Sequence, residues 1–289
     1  MHFAAVSAIL KATMEREGKE MKRLLVCLLV LLLAVPALAE APGALRPRRD
    51  EAVEGAPEVA LAGVRFEGAG YESPEEAVAA YLQAKKNGDA AGMLATFAIE
   101  TYVENVDAQA SLWRVRAFMP GNSALPLGGD HQLQMAAAKR YAELANTLYY
   151  QWLALSWPEG YGEFGAQAVM FQDEAEVEAF RAALAANDVA PLLETLELVD
   201  FVAPAELIEV YLSPNNLKNL AQQAAAYGCD ELADVVARLS VGGEEWYQCM
   251  QCARYGDKWY NIAFSGNAGN MLGIDAYSAG LAPVSAVEG

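Results

Sequence analysis

Alternating apolar residues near the C-terminus constrain the fold of this chain more than any other feature. Every second residue from Val235 to Val241 is apolar, which is typical of a β-strand with one buried face. Gly242-Gly243 marks a turn, and residues 246–255 are rich in aromatic side chains that favour strands. Gly256-Asp257 marks a second turn before residues 258–264. The pattern predicts a three-stranded antiparallel meander.

The meander pattern also predicts a register. A two-residue turn at Gly256-Asp257 places Tyr255 opposite Lys258. The same register places Cys249 opposite Phe264.

Capping signals predict helices upstream of the meander. Ser73 is a suitable N-cap, Pro74 suits the first helical position, and Glu76 completes a capping box. Asn87-Gly88 ends this helix, and Asp89 caps a second one.

Other segments follow from periodicity and breakers. Apolar residues at intervals of three and four predict a long helix over 132–157. The remaining predictions are a short extended piece at 64–66, loops at 119–129 and 266–270, helices from Asp173 to about 184, at 204–211 and at 214–226, and a strand at 196–202. Asp173 with Glu176 predicts a capped start for the first of these helices, and Ser213-Pro214 repeats the signal of Ser73-Pro74 at the last.

The N-terminal segment predicts export. Lys22-Arg23 precedes an aliphatic run at 24–35, Pro36 breaks it, and Ala37-Leu38-Ala39 supplies the small residues that signal peptidase requires. We therefore expect a signal peptide within 1–39, cleavage after Ala39, and a secreted or cell-envelope protein. The apolar run is shorter than the roughly 20 residues that span a bilayer, so we expect no transmembrane segment in the mature chain. The mixed charge of residues 1–20 suggests that translation begins at Met21. Residues 40–63 are rich in Ala, Pro, Gly and charge, which predicts a flexible linker before a single domain at 64–289.

Charge excludes one class of partner. The first 39 residues hold three acidic and five basic residues, so the remainder has 35 acidic and 15 basic residues, a formal net charge of −20. Such a surface repels phosphate backbones, so we expect no nucleic-acid partner.

No set of catalytic residues can be assembled from the sequence, so we assign no catalytic, cofactor or metal residues. Cys249 and Cys252 share a predicted strand and point to opposite faces, which argues against a redox pair or a zinc site. Cys229 could form a disulfide with either of them, although buried free thiols remain the simplest expectation. His131 is the one histidine after residue 39, and we expect it at the surface. Carboxylates such as Asp230, Glu231, Glu244 and Glu245 are abundant, but their separation cannot be read from the sequence.

Two stretches resemble the nuclear transport factor 2-like superfamily: residues 73–82 (SPEEAVAAYL), followed by Asn87-Gly88-Asp89, and residues 254–260 (RYGDKWY). The chain also looks like uncharacterised secreted proteins of Gram-positive bacteria. The resemblance implies an α+β fold in which helices precede a curved antiparallel sheet with a C-terminal meander. It also implies a helical insertion at about 129–186.

These observations lead to three functional hypotheses. The first is a non-catalytic binding or interaction module of the cell envelope, whose partner is an unknown small molecule or envelope component. The second is a small-molecule enzyme that uses a buried Asp, Glu or Tyr in a cone-shaped pocket. The third is a structural envelope protein. Fold alone does not distinguish them.

Overall fold

The structure is a computed structural model that describes residues 65–118, 129–156, 170–274 and 278–287. The expected signal peptide, the linker and the loop at 119–128 lie outside the described residues, as does Trp157. No helix in the described ranges has the length and apolar character needed to cross a bilayer.

Helices come first and most of the strands follow, an order that confirms the predicted α+β class. The described elements, in chain order, are α1 (Pro74–Lys86), α2 (Ala90–Ala95), α3 (Glu100–Asn105), α4 (Ala108–Val115), α5 (Asp130–Ser156), α6 (Glu174–Ala186), α7 (Ala190–Leu193), β1 (Glu197–Val202), α8 (Pro204–Leu207), α9 (Pro214–Tyr227), β2 (Glu231–Val241), β3 (Glu244–Tyr255), β4 (Lys258–Phe264), α10 (Gly266–Met271), β5 (Leu281–Pro283) and α11 (Val284–Val287).

The strands form one antiparallel sheet in the order β1-β2-β3-β4, and β5 pairs with the first part of β3. The predicted meander is confirmed as β2, β3 and β4. Its turns fall at Gly242-Gly243 and Gly256-Asp257, and Tyr255 pairs with Lys258. Glycine suits both turns because Gly242, Gly243 and Gly256 have positive φ angles.

The predicted pairing of Cys249 with Phe264 is wrong. Met250 lies opposite Phe264 instead. The register shifts because Ile262 is an extra residue on β4 with no partner on β3, which makes a β-bulge. The side-chain alternation on β3 is unchanged, so Cys249 and Cys252 still face opposite sides of the sheet.

The predicted helix caps of α1 and α2 form as hydrogen bonds. Ser73 Oγ accepts from the Glu76 backbone N–H at 3.1 Å. The Glu76 carboxylate in turn accepts from the N–H of Glu72, one residue before the cap. Asp89 Oδ1 accepts from Gly92 N at 2.8 Å. These bonds satisfy backbone donors that have no partner within the helix.

We expect Ser73→Ala to lower the free energy of unfolding by about 1 kcal/mol, because the Glu76 N–H then loses its acceptor. Urea denaturation measures the change. Ser213→Ala is a matched comparison, since the equivalent bond from Asn216 N to Ser213 Oγ is longer, 3.4 Å. A larger loss for Ser213→Ala than for Ser73→Ala would contradict the assignment.

Helices cover both faces of the sheet. We call the face that carries Val235, Met250 and Cys252 the inner face; it packs in the main core with α1, α2 and α5. The outer face carries Val236 and Cys249 and packs with residues of α8 and α10.

An aromatic cluster fills the centre of the inner face. The ring centroids of Phe97 and Phe264 are 4.9 Å apart, and Tyr81 meets both rings edge-on at about 6 Å. All three side chains are buried. The inner face of the sheet is therefore a packed core at this point.

Several segments differ from the sequence prediction. The helix expected at 204–211 is limited to Pro204–Leu207, and the loop expected at 266–270 is the short helix α10. Residues 65–66 join no strand. The helices α3, α4, α7 and α11 and the strand β5 were not predicted at all.

The block at 129–186 contains two helices of different character. The helix α5 inserts Leu144, Leu148 and Leu155 into the main core, whereas α6 has no buried residue. Asp173 caps α6 as predicted, accepting from Glu176 N at 3.0 Å.

Candidate functional site

A buried polar cluster lies on the inner face and joins α1, α5 and β3. Lys85 Nζ donates to Gln248 Oε1 at 3.3 Å, and Gln151 Nε2 donates to the same oxygen at 3.0 Å. Tyr81 OH donates to Gln151 Oε1 at 3.0 Å. The Gln248 amide nitrogen donates to the Ala279 carbonyl at 2.7 Å. We call these four side chains the inner polar cluster.

Lys85 is the unusual member of this cluster because it is 0% exposed and forms no salt bridge with a described carboxylate. Burial lowers the pKa of its amine to about 7. Burial likewise raises the pKa of Tyr81, which stays a neutral hydrogen-bond donor. The Lys85 amine therefore loses its proton far more readily than an exposed lysine, but it has no exposed surface through which a substrate could reach it.

A second polar cluster lies on the outer face around Asp234, which is 7% exposed. Its carboxylate accepts four hydrogen bonds of 3.1–3.2 Å, from Tyr211 OH, Gln251 Nε2, Asn267 N and Ala268 N. Burial raises the pKa of Asp234, and the hydrogen bonds oppose this shift. Asp234 therefore fixes the start of α10 and the phenol of Tyr211.

The cysteines behave as buried structural thiols. All three described cysteines are free, and Cys249 and Cys252 are buried on opposite faces of the sheet. Burial raises the pKa of Cys249 to about 12 and that of the half-buried Cys229 to about 11, so neither provides a reactive thiolate at neutral pH.

The other candidates from the sequence are not brought together. His131 is exposed. Glu231 lies at the first residue of β2, whereas Glu244 and Glu245 lie beyond its far end, roughly 30 Å along the hairpin. Glycosidic acid–base catalysis needs carboxylates roughly 5–9 Å apart. No group of three or more potential metal ligands occurs among the described residues.

The distribution of cations points to a different place on the molecule. Six described Lys or Arg side chains form salt bridges: Arg65 with Glu67, Lys139 with Glu143, Arg181 with Glu178, Arg238 with Asp200, Arg254 with Glu231 and Lys258 with Glu72. Lys85 is buried, and Arg140 donates to the carbonyl oxygens of Ala98 and Ile262. The described cations that remain without a carboxylate partner are Lys86, Arg114, Arg116 and Lys218.

Three of these four cations belong to the α4–α9 pair. The guanidinium of Arg114 donates to Asn219 Oδ1 at 3.1 Å, which links the end of α4 to α9 beside Lys218. Arg116 follows α4 with a left-handed backbone, and its guanidinium carbon lies 5.7 Å from the centre of the Trp113 ring. We call Trp113, Arg114, Arg116 and Lys218 the basic-aromatic patch.

Trp113 is the most unusual residue of the patch because the side chain is 74% exposed. It lines a surface groove of about 760 Å³ together with Asp107, Gln109, Leu112 and Arg116, and the groove wall is completed by Ala108 and Ala110. This volume lies in the range of small-molecule sites. The patch combines an aromatic surface, a concave wall and free positive charge.

Sequence reasoning missed this patch. The segment Trp113-Arg114-Val115-Arg116 places a tryptophan next to two arginines in a strongly acidic chain, and that combination was the available signal. The segment stands out only when most other cations are known to form salt bridges, and no sequence pattern reveals those pairs.

Comparisons with known proteins add little. No protein-family model and no curated protein matches the chain. One solved structure with detectable similarity is a cystatin-like protein from Ruminococcus gnavus ATCC 29149, with 15% sequence identity and a TM-score of 0.36. The alignment covers 65% of this chain and 39% of that one. The resemblance to the nuclear transport factor 2-like superfamily stays a prediction.

Proposed function

We propose that this chain is an exported, non-catalytic binding module of the cell envelope, and that it contacts its ligand through the basic-aromatic patch. The observation that carries the proposal is the contrast between interior and surface. The polar side chains of the inner polar cluster and around Asp234 bond to one another, whereas the exposed Trp113 and the unpaired Arg116 line one surface groove. Two further cations without a described carboxylate partner, Arg114 and Lys218, lie on α4 and α9.

Export is the second component of the proposal. It rests on the basic residues Lys22-Arg23, the aliphatic run at 24–35 and the small residues before Glu40. The acidic surface fits a protein that stays soluble and avoids anionic polymers except at a local basic site.

A second candidate function is a small-molecule enzyme that uses Asp234 and Tyr211. The desolvated Asp234 carboxylate lies 3.1 Å from the Tyr211 phenol, and this pair holds both of the residue types that the enzyme hypothesis calls for. The binding module is better supported because all four donors around Asp234 come from the protein itself. Those donors hold α10 in place and leave the carboxylate little capacity for a substrate.

Envelope binding tests the proposal directly. We expect the full chain, expressed with its own leader and purified from the exported fraction, to sediment with isolated Gram-positive cell walls. A triple variant, Trp113→Ala with Arg114→Gln and Arg116→Gln, should sediment at least fivefold less, because the variant lacks both the ring and two charges.

A matched control separates the patch from general charge effects. Arg181→Gln combined with Lys139→Gln and Tyr150→Ala removes two exposed cations and an exposed aromatic ring from α6 and α5, and it should sediment like the wild type. Equal sedimentation of the triple variant and the wild type would overturn the role of the patch. Absence of the chain from the exported fraction would overturn export.

A further inference from the structure

We propose that the ligand of the basic-aromatic patch is a carboxylate-bearing polysaccharide. This inference deepens the proposed function and rests on it. The ligand class follows from three features that lie together on α4 and its end. These are two arginines without a described carboxylate partner, an exposed indole ring and a surface groove.

The patch as a whole carries three positive charges, against one groove carboxylate, Asp107, which already accepts from Ala110 N. This excess of positive charge favours an anionic ligand. Arg114, Arg116 and Lys218 have no described carboxylate partner, although the chain outside residues 1–39 has 35 acidic residues. An arginine side chain presents a planar fork of N–H donors that matches the two oxygens of a carboxylate. Arg114 uses one N–H on Asn219 Oδ1, so its remaining guanidinium donors and those of Arg116 are available to a ligand carboxylate.

The indole ring of Trp113 selects for a flat or ring-shaped partner. Its π face carries partial negative charge, which attracts the weakly positive C–H bonds on one side of a pyranose ring. Arg116 lies near this ring, 5.7 Å from its centre, so a carboxylate attached to a stacked sugar would lie close to a guanidinium group. A uronic acid unit has both features in one residue.

The surroundings of the groove argue against a peptide. A peptide that extends a sheet needs a free strand edge, and the groove is lined by residues 107–110, 112, 113 and 116, which belong to α4 and its ends. A peptide helix needs a row of large apolar anchors, whereas Ala108, Ala110, Leu112 and Trp113 are the apolar lining residues. A sugar chain needs neither, and Asp107 and Gln109 provide polar groups at the wall.

Overall charge argues against dense polyanions. Duplex DNA carries one charge per roughly 1.7 Å of its axis, and a surface of net charge −20 repels it outside the small patch. A polysaccharide with at most one carboxylate on each sugar has more widely spaced charges. Such a ligand can place one or two carboxylates on the patch and keep the others away from acidic regions.

Titration calorimetry with defined oligosaccharides tests the ligand class. The probe is trigalacturonic acid, and the full chain purified from the exported fraction is the binding partner. We expect saturable binding that weakens at least tenfold when the probe is replaced by its methyl ester, since the ester keeps the rings and removes the charge. Tri-glutamate, which has charge without sugar rings, should also bind at least tenfold more weakly.

Variants assign the binding to the patch. Trp113→Ala should weaken trigalacturonate binding at least tenfold, Trp113→Phe should weaken it less, and Arg116→Gln should weaken it about fivefold. Arg181→Gln, an equal change of charge on α6, should leave the affinity unchanged. Circular dichroism of each variant checks that the fold is intact.

The outcomes separate this inference from the proposed function. If tri-glutamate or the methyl ester binds as tightly as trigalacturonate, or if trigalacturonate does not bind, the ligand class is wrong. The proposed function survives that result if the triple variant still sediments less with cell walls. If wall binding and oligosaccharide binding are both absent, the proposed function and the ligand class fall together.

Discussion

Replacing Lys85 with methionine is expected to stabilise the folded chain by about 4 kcal/mol at pH 7. The amine has a pKa of about 7 in the folded chain and 10.5 when exposed to water, so folding must remove its proton or bury its charge. Methionine has a similar shape and no charge. The oxygen of Gln248 that Lys85 contacts keeps a donor in the variant, because Gln151 Nε2 binds it at 3.0 Å.

The sign of the pH dependence follows from the direction of the shift. Between pH 7 and pH 10.5, the unfolded chain binds a proton at Lys85 that the folded chain releases, so the wild type becomes more stable as pH rises. The advantage of Lys85→Met should therefore fall to roughly 2 kcal/mol at pH 9. Titration of other groups cancels in the difference between the two proteins.

Guanidinium chloride denaturation of both proteins at pH 7 and pH 9 measures this effect. Lys86→Met, at the neighbouring half-exposed lysine, is the control and should change stability by less than about 1 kcal/mol at both values. A Lys85→Met variant that is less stable than the wild type at pH 7 would show that the amine is solvated in the folded chain.

Replacing Asp234 with alanine is expected to destabilise the chain by about 3–5 kcal/mol. The change leaves two side-chain donors and two backbone N–H groups without their acceptor. Unsatisfied buried donors cost about 1–3 kcal/mol each, and part of the cost is recovered where water or a rotated side chain reaches them. The outer face of the sheet should lose the docking of α10 first.

Urea denaturation and hydrogen exchange measure this prediction together. We expect the lowered stability to coincide with faster amide exchange of Asn267 and Ala268, whose N–H groups bind Asp234. Asp257→Asn, at the exposed turn between β3 and β4, is the control and should change stability by less than about 0.5 kcal/mol. Unchanged exchange at both amides in Asp234→Ala would refute the anchoring role.

These two clusters bear on function because they account for the buried polar groups that an enzyme would otherwise use. Lys85 and Asp234 have shifted pKa values of the kind found in active sites. Lys85 donates to Gln248, and Asp234 accepts from a backbone N–H group of α10, so both groups are bonded within the protein. The cations that lack a described carboxylate partner lie instead at the surface. Two of them, Arg114 and Arg116, are close to the exposed Trp113 in the chain.

Local signals in the sequence predicted much of the fold. The caps at Ser73, Asp89, Asp173 and Ser213 form as expected, because a capping bond joins residues three positions apart and depends on little else. The meander was predictable for a similar reason, since alternation and turns act over a few residues.

Errors occurred where distant residues decide the local conformation. The segment at 266–270 has loop composition, yet it is helical because the Asp234 carboxylate, more than 30 positions away, accepts from the N–H groups of Asn267 and Ala268. The bulge at Ile262 is another case, and the sequence pattern on either side of it gives no sign of the shift.

The amino-acid sequence by itself determined the α+β class, the meander with its turns and the helix caps, because these depend on contacts between near neighbours. Only the tertiary structure decided which charges are free. Packing buries Lys85 against one amide oxygen, pairs six other cations with carboxylates, and leaves the basic-aromatic patch exposed. The physical reason is that the free energy of a charge depends on burial and on partners that the fold brings from distant positions.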